Sequence, residues 1–298
     1  MTTASIIIPT CNRPDDLARC LRALASQLEQ QSCEVIVSDD SRDERTREML
    51  KKDFPAVKIA SGPRCGPGAN RNAGARVASG EWLIFLDDDV ILAPHFLHAY
   101  CSAFATDTSQ NIFHGLTEAT PKKTSLLWEA PEVLEHLPCF PSCNFAIRQD
   151  LYAKSGGFDE RYTPAFEDIE FASRLQGQGE TCSYVPGAAV QHPLRPVPGA
   201  KKLAQRWEPR VISALDMGAS PAALPLLLTK HVALVIASRF RGARPSWANA
   251  RAALLFAGEF AWFLILLHGW LLQHAGAGRS PFWELQRSLG RTPVHYGL

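Results

Sequence analysis

The chain has 298 residues, enough to bury a sizeable core in one large domain or in one domain with an appended region. With 46% hydrophobic and 20% charged residues it is a globular sequence, not a disordered one. A formal net charge of +1 gives no basic excess for nucleic acid and no acidic tail for a cationic partner, and Met1 to Pro9 is too short for a secretory signal, so a cytosolic N-terminus is expected.

The first half alternates strand and helix signals. Ser5 to Pro9 reads as a buried strand. Pro14 to Gln27 follows as a helix, with Leu17, Cys20, Leu21 and Leu24 at helical spacing and Pro14 in the first turn. Glu34 to Ser38 reads as a second strand ending in Asp39-Asp40, Glu44 to Lys52 as a charged helix, and Val57 to Ala60 as a third strand. Gly66-Pro67-Gly68 opens a helix expected to reach Ser79, with Gly80 ending it. Trp82 to Leu86 is an apolar run that ends in Asp87-Asp88-Asp89. This alternation predicts an α/β fold with a parallel, doubly wound sheet, whose ligands sit at the carboxyl ends of the strands. Asp39 and the three acids at 87–89 fall at that edge.

From Ile112 to Gln191 the strands read as shorter, separated by Pro and Gly. Asn144 to Ile147 is a strand signal with a helix start at Arg148 or Gln149, Gly156-Gly157-Phe158-Asp159 a turn, and Glu167 to Gln176 a helix. Pro193, Pro196 and Pro198 mark a linker, followed by Lys201-Lys202. Two apolar stretches close the chain, Ala222 to Phe240 and Ala252 to Leu272. The second carries a single formal charge, Glu259, and as a helix covers roughly 30 Å, about a bilayer core. Arg239, at the end of the first, clusters with Arg241, Arg244 and Arg251 between the two, as expected of a segment facing an anionic leaflet. Two readings follow: a buried helix of an added subdomain, or a membrane-associated one with Trp262, Phe263 and Trp270 suited to an interface.

Eight cysteines form no CxxC pair; Cys139 and Cys143 are the closest, without a second pair for zinc, so reduced structural thiols are expected. Like charges as close as Asp87, Asp88 and Asp89 repel unless a cation sits among them, and a hard divalent ion is the simplest resident. Gly66-Pro67-Gly68 is not a Walker loop, since no Gly-Lys-Ser/Thr follows, and it fails the dinucleotide pattern because Arg71 stands at the third glycine position. Arg71 suits either phosphate or a neighbouring acid. Glu167-Asp168, with Glu170 following, is a second acidic cluster suited to dipole pairing or to general-base work. His192 is a candidate metal ligand through a neutral imidazole.

Taken together these stretches resemble the family 2 glycosyltransferases, inverting enzymes of the GT-A fold. The resemblance rests on Ile6 to Arg13, Val35 to Ser41, Asn70 to Gly74 through Ala78-Ser79-Gly80, Phe85 to Asp89, and Gly156 to Asp159 followed by Phe166 to Glu170. It covers roughly residues 4 to 192 and departs where Ser38 precedes Asp39-Asp40-Ser41, a place where the family often has Gly before Ser. It implies a Rossmann-like mixed sheet flanked by helices, with a C-terminal apolar helical region. Residues 1–192 would form the catalytic domain, with a nucleotide-sugar half at about 1–110 and an acceptor half at about 111–192, and 193–298 the linker and helical region.

The resemblance also implies roles. Pro9, Thr10, Asn12 and Arg13 would line the nucleotide-sugar pocket, Asp39 would hold the nucleobase, and Arg71 would lie near the nucleotide. Asp87 and Asp89 match the DxD motif, the first toward the ribose and the second toward Mg2+ or Mn2+, with His192 as a further ligand. Asp88 belongs to the same donor-binding stretch but is expected to point away from that pair. Asp168 would be the general base, with Glu167 orienting it or substituting for it. Implied partners are a nucleotide-diphosphate sugar and a glycan, lipid-linked or peptide acceptor, with no nucleic acid; the C-terminal apolar region adds the expectation of a place at the cytosolic face of the inner membrane, and a peptide or protein glycosyltransferase with a soluble acceptor is the alternative. A sugar nucleotidyltransferase is disfavoured because Pro9-Thr10-Cys11-Asn12 replaces a Gly-rich, basic N-terminal signature. A non-catalytic nucleotide-sugar-binding protein would need the same donor acids but not Asp168.

Overall fold

The isoleucines at 6, 7 and 8 are all fully buried, as a strand covered on both faces requires. The computed structural model describes residues 3–29, 31–135, 140–243 and 245–275. The elements in chain order are β1 (Ala4–Thr10), α1 (Pro14–Leu28), β2 (Cys33–Asp39), α2 (Arg45–Asp53), β3 (Lys58–Ser61), α3 (Pro67–Ala75), β4 (Trp82–Leu86), β5 (Ile91–Leu92), α4 (Phe96–Thr106), β6 (Ile112–Thr120), β7 (Trp128–Glu129), β8 (Asn144–Arg148), α5 (Gln149–Ser155), α6 (Glu167–Gly177), β9 (Ser183–Pro193), β10 (Arg195–Pro196), α7 (Ala200–Gln205), α8 (Glu208–Asp216), α9 (Leu224–Arg239) and α10 (Trp247–Ala275). They divide into two compact units. The first comprises Met1–Pro121, Ala130–Glu160 and Glu167–Pro193; the second comprises Lys122–Glu129, Arg161–Phe166 and Leu194–Leu298.

The first unit is built on an eight-stranded sheet in the order β3-β2-β1-β4-β8-β6-β9-β5. Strands β1 to β4 run parallel, the first three each feeding a helix, so the alternation reads correctly up to Leu86. Beyond it the all-parallel expectation from alternation fails. β8 runs antiparallel to both β4 and β6, and β5 antiparallel to β9, giving a mixed sheet. Strand direction is not encoded in hydrophobic periodicity, so only the family resemblance anticipated the mixture. β6 and β9 are also long, at 9 and 11 residues, where Pro and Gly suggested short strands. Pro186 and Gly187 fall in an irregularity of the β6–β9 pairing instead of ending the strand: Gly115 pairs with Val185, but Thr117 pairs with Val190. The Asn144 amide fastens this bulge, donating to Leu116 O at 3.0 Å and Ala188 O at 2.9 Å, while its Oδ1 accepts from Tyr100 Oη. A Cβ on Gly115 would lie 2.0 Å from Ala188 O, so the close approach demands glycine.

Two cores cover the sheet. One gathers α1 and α4 side chains such as Leu17, Leu21, Phe96 and Tyr100 over Ile6, Ile8 and Ile84. The other gathers Phe85, Phe145, Phe158 and Phe171 on the opposite face. Helix α3 ends at Ala75, four residues before the expected Ser79, because Val77 and Ala78 leave through tighter turns onto Gly74 O and Ala75 O.

In the second unit, β7 and β10 form a two-stranded antiparallel ribbon. Helices α7 and α8 stand where the prolines suggested only a linker; six and nine residues long, they are too short for a strong periodic signal. The apolar stretches become α9 and the 29-residue α10. Trp207, Val211, Leu228, Val232, Phe263, Leu267 and Trp270 form its core. α10 buries only a stripe, at Ala252, Phe256, Glu259, Phe263, Leu267 and Trp270. Glu259, its one acid, is enclosed by Trp207 Nε1–H at 2.8 Å and by the Arg239 guanidinium. Arg244 and Cys139 lie outside the described residues. The described cysteines are free thiols.

Candidate active site

The carboxyl ends of β1, β2 and β4 deliver the acids. Thr10 closes β1, Asp39 closes β2, and Asp87 to Asp89 follow β4, one strand over in each case. Asp39 Oδ1 accepts from the Ser41 N–H at 2.9 Å, and its Oδ2 lies 3.7 Å from Arg47 Nε, so the carboxylate is fixed at the sheet edge. Asn12, at a positive φ of 56°, steadies this loop by donating its N–H to Ser41 Oγ and accepting from the Arg42 N–H. Pro9 and Thr10 pair in register with Ser38 and Asp39.

The three adjacent aspartates diverge. Asp88 turns toward β1, accepting from Thr10 Oγ1 at 2.8 Å and pairing with Arg13 Nη1 at 3.1 Å. Burial pushes its carboxyl up to about 6, against the pull of Arg13 and Thr10. Asp87 and Asp89 turn instead toward β9. His192 Nε2 lies 3.6 Å from Asp87 Oδ2 and 3.5 Å from Asp89 Oδ1. Burial alone would raise Asp87, but the His192 imidazole and the Arg71 guanidinium outweigh it and hold the carboxyl well below the usual carboxylate range. The imidazole is raised in turn: burial would lower it, and Asp87 and Asp89 overcome that. The ligand atoms of Asp87, Asp89 and His192 all lie within 4.8 Å of one another, a set fit for a divalent ion. Two carboxylates and one imidazole together offer three ligand atoms to such an ion. His192 Nδ1 lies 3.1 Å from Pro193 O, a contact that fixes the ring with Nε2 toward the acids.

Arg71 sits at the centre. Only 4% exposed, it reaches Asp87 Oδ1 with Nη2 and Glu167 Oε1 with Nη1, each at 2.8 Å. Of the two partners open to it from the sequence, phosphate or acid, the folded chain gives it two acids. Glu167 opens α6 and is buried; burial pushes its carboxyl up to about 7, with the Asp168 charge adding and Arg71 opposing. Asp168, by contrast, is half-buried, with Oδ2 accepting from the Ser142 N–H at 3.1 Å and Oδ1 from the Ile169 N–H at 2.9 Å. Ser142 was not singled out in the sequence; its contribution is a backbone N–H, which carries no residue-type signal.

The loop before α6 is held by Asn72. Its Nδ2 donates to Phe158 O and Glu160 Oε1, and its Oδ1 accepts from Tyr152 Oη and the Phe158 N–H. Gly157 follows at a φ of 71°, where a Cβ would also meet Asn72 Oδ1 at 2.7 Å. Arg174, paired to Glu170, donates to Ser155 O and Gly157 O, which explains why Glu170 points inward with no part among the site acids.

Thus every singled-out site residue lies in the first unit, at the carboxyl edge of the sheet, on α3 or at the start of α6. The model of the family described as glycosyl transferase family 2 matches residues 5–156. The chain belongs to glycosyl transferase family 2.

Among sequence relatives, this family 2 member is 38% identical over 185 residues to a glycosyltransferase of Haemophilus influenzae, covering 57% of this chain and 61% of that protein. It is 28% identical over 217 residues to a validoxylamine A glucosyltransferase of Streptomyces hygroscopicus, covering 59% of this chain and 51% of the relative. The chain therefore spans between half and two thirds of the length of these relatives. Among solved structures, the Staphylococcus aureus TarS fragment 1–349 superposes at a TM-score of 0.55 with 18% identity, covering 97% of this chain and 92% of that one. A Pyrobaculum calidifontis mannosyltransferase solved with GDP-Man and Mn2+ gives a TM-score of 0.51 at 18% identity, covering 96% of this chain and 79% of that one. These likenesses show the GT-A fold.

Proposed function

We propose that the chain transfers a sugar from a nucleotide-diphosphate sugar to an acceptor hydroxyl, with inversion at the anomeric carbon, in cell-surface glycan or glycolipid synthesis. The observation that carries this reading is the Arg71 bridge, which draws the acids after β4 and the acids opening α6 around one guanidinium. Asp39 is the nucleobase contact, with Pro9, Thr10, Asn12 and Arg13 lining the donor pocket and Asp88 holding Thr10 and Arg13 in place. Asp87, Asp89 and His192 would hold Mg2+ or Mn2+, whose charge when bound offsets that of the departing diphosphate. Asp168 is the general base: it is the more exposed of the α6 acids, and two backbone N–H groups orient it. It takes the acceptor proton as the hydroxyl oxygen bonds to the anomeric carbon. The nucleoside diphosphate leaves from the opposite face with the bonding electrons. Glu167, buried and tied to Arg71, orients the helix start.

On this reading residues 1–192 are the catalytic domain, split at about 110 into donor and acceptor halves, and 193–298 are an appended helical region. We propose that this region lies in the cytosolic face of the inner membrane without spanning it. α10 is the one described helix long and apolar enough to cross, with 28% of that stretch buried. Outside its buried stripe it exposes Leu254, Trp262, Leu264, Ile265 and Leu272, and α9 exposes Leu226, Leu227 and Leu234. Yet α10 packs against α7 and α8, which carry Lys201, Lys202 and Glu208. Burying those charges in hydrocarbon is costly, whereas an interfacial position leaves them wet.

The test is incubation with a panel of nucleotide sugars and either ion, with and without chelator, reading nucleoside diphosphate release with and without acceptor extract. Ion-dependent, acceptor-stimulated release is expected. Nucleotide-sugar binding without release under any condition would turn the reading to a non-catalytic binding protein.

A further inference from the structure

A cavity of about 460 Å3 opens in the second unit where α9 ends and α10 begins. Lys123, Arg239 and Arg241 line it, and no acid is among the described residues around it. Arg239 is fixed from one side by Glu259 of α10, whereas Lys123 and Arg241 are exposed. Ser125, Ser246 and Asn249 add hydroxyl and amide groups. Ser246 Oγ accepts from the Asn249 N–H at 3.1 Å and so caps α10, whose positive dipole end adds to the same rim. Arg239 is already offset by Glu259, but Lys123 and Arg241 leave the cavity with two positive charges that repel one another, an arrangement relieved by an oxyanion. A tetrahedral phosphate offers enough acceptors for a guanidinium fork, an ammonium and hydroxyls together.

The surroundings bear on the source. Trp247, 89% exposed, directly follows Ser246, and Leu254 lies two turns on, 77% exposed. Apolar side chains beside a cationic cavity match the boundary between headgroups and acyl chains.

We propose that this cavity binds a phosphate group, supplied by the headgroup of an anionic lipid on which the helical region rests. The lipid source, though not the phosphate chemistry, depends on the interfacial position argued above.

The full chain is tested by co-sedimentation with phosphatidylcholine vesicles, with and without phosphatidylglycerol. The cavity variant is Lys123→Ala/Arg241→Ala; Lys202→Ala/Arg251→Ala removes equal charge outside the cavity. Thermal unfolding checks that both fold. The wild type should bind both vesicle types and prefer the anionic one. The cavity variant should lose that preference by about 10-fold or more and keep its binding to neutral vesicles, while the control pair loses under about 3-fold. Equal losses in the two pairs would assign the preference to diffuse charge and overturn the cavity. A wild type that ignores both vesicles overturns the membrane position, and the cavity is then judged by calorimetry with inorganic phosphate. Heat lost only in the cavity variant makes the source a soluble phosphate; no such heat overturns the site.

Discussion

Arg71 Nη1 lies 2.8 Å from Glu167 Oε1, across 96 residues of chain, with both groups buried. The pair joins α3 to the start of α6, and removing one partner leaves an uncompensated charge in the interior. Arg71→Ala is expected to cost about 3–5 kcal/mol in urea denaturation. Arg71→Lys, which keeps the charge but not the two-pronged reach, should fall between it and the wild type. An Arg71→Ala protein as stable as the wild type would show that the bridge is not structural.

Asp168→Asn preserves shape and removes the proton acceptor. Turnover should drop by about 10²–10⁴-fold with donor KM changed little. Asp89→Ala should abolish turnover while circular dichroism stays unchanged. Near-normal nucleoside diphosphate release by either variant removes that residue from its role.

His192 offers Nε2 to the same space as Asp87 and Asp89. His192→Ala should weaken Mn2+ binding by about 10-fold or more, read by calorimetry in the absence of substrate. His192→Gln should recover little, since its amide oxygen lacks the strongly basic imidazole nitrogen.

Glu34 gives the first unit an acid limit. Burial alone would raise its carboxyl, but Lys58, Ser5 Oγ and the Ser79 N–H and hydroxyl pull it from 4.5 down to about 2. A carboxyl depressed on folding contributes stability above its unfolded pKa and loses it as the folded pKa is approached from above. The contribution should therefore be complete above about pH 5 and fade toward pH 2. Glu34→Gln should cost about 1–2 kcal/mol at pH 7 and unfold with a shallower loss between pH 5 and pH 2 in urea titrations.

The site was legible where a residue's type and its place at a strand end coincide. Asp39, Asp87 and Asp89 each follow an apolar run, and a parallel sheet brings such ends together. The partner of Arg71 was not legible, because nothing local to residue 71 points to Glu167. The direction of β8 was hidden for a similar reason: Asn144 to Ile147 reads the same in either orientation. Glu259 marked the apolar C-terminal stretch as unusual, but its enclosure by Trp207, at the start of α8, and by Arg239, at the end of α9, depends on helix packing, which periodicity does not report.

The bulge in β9 decides more than local shape. Between Gly115 and Thr117 the partner strand advances from Val185 to Val190, five residues against two. An odd number set against an even one reverses which side of the sheet each later residue occupies. His192 inherits its side from that parity. Adding or deleting one residue at 186–189 would preserve every ligand in the sequence yet turn the imidazole to the far face. The Asn144 amide, by gripping Leu116 O and Ala188 O, therefore guards the count itself.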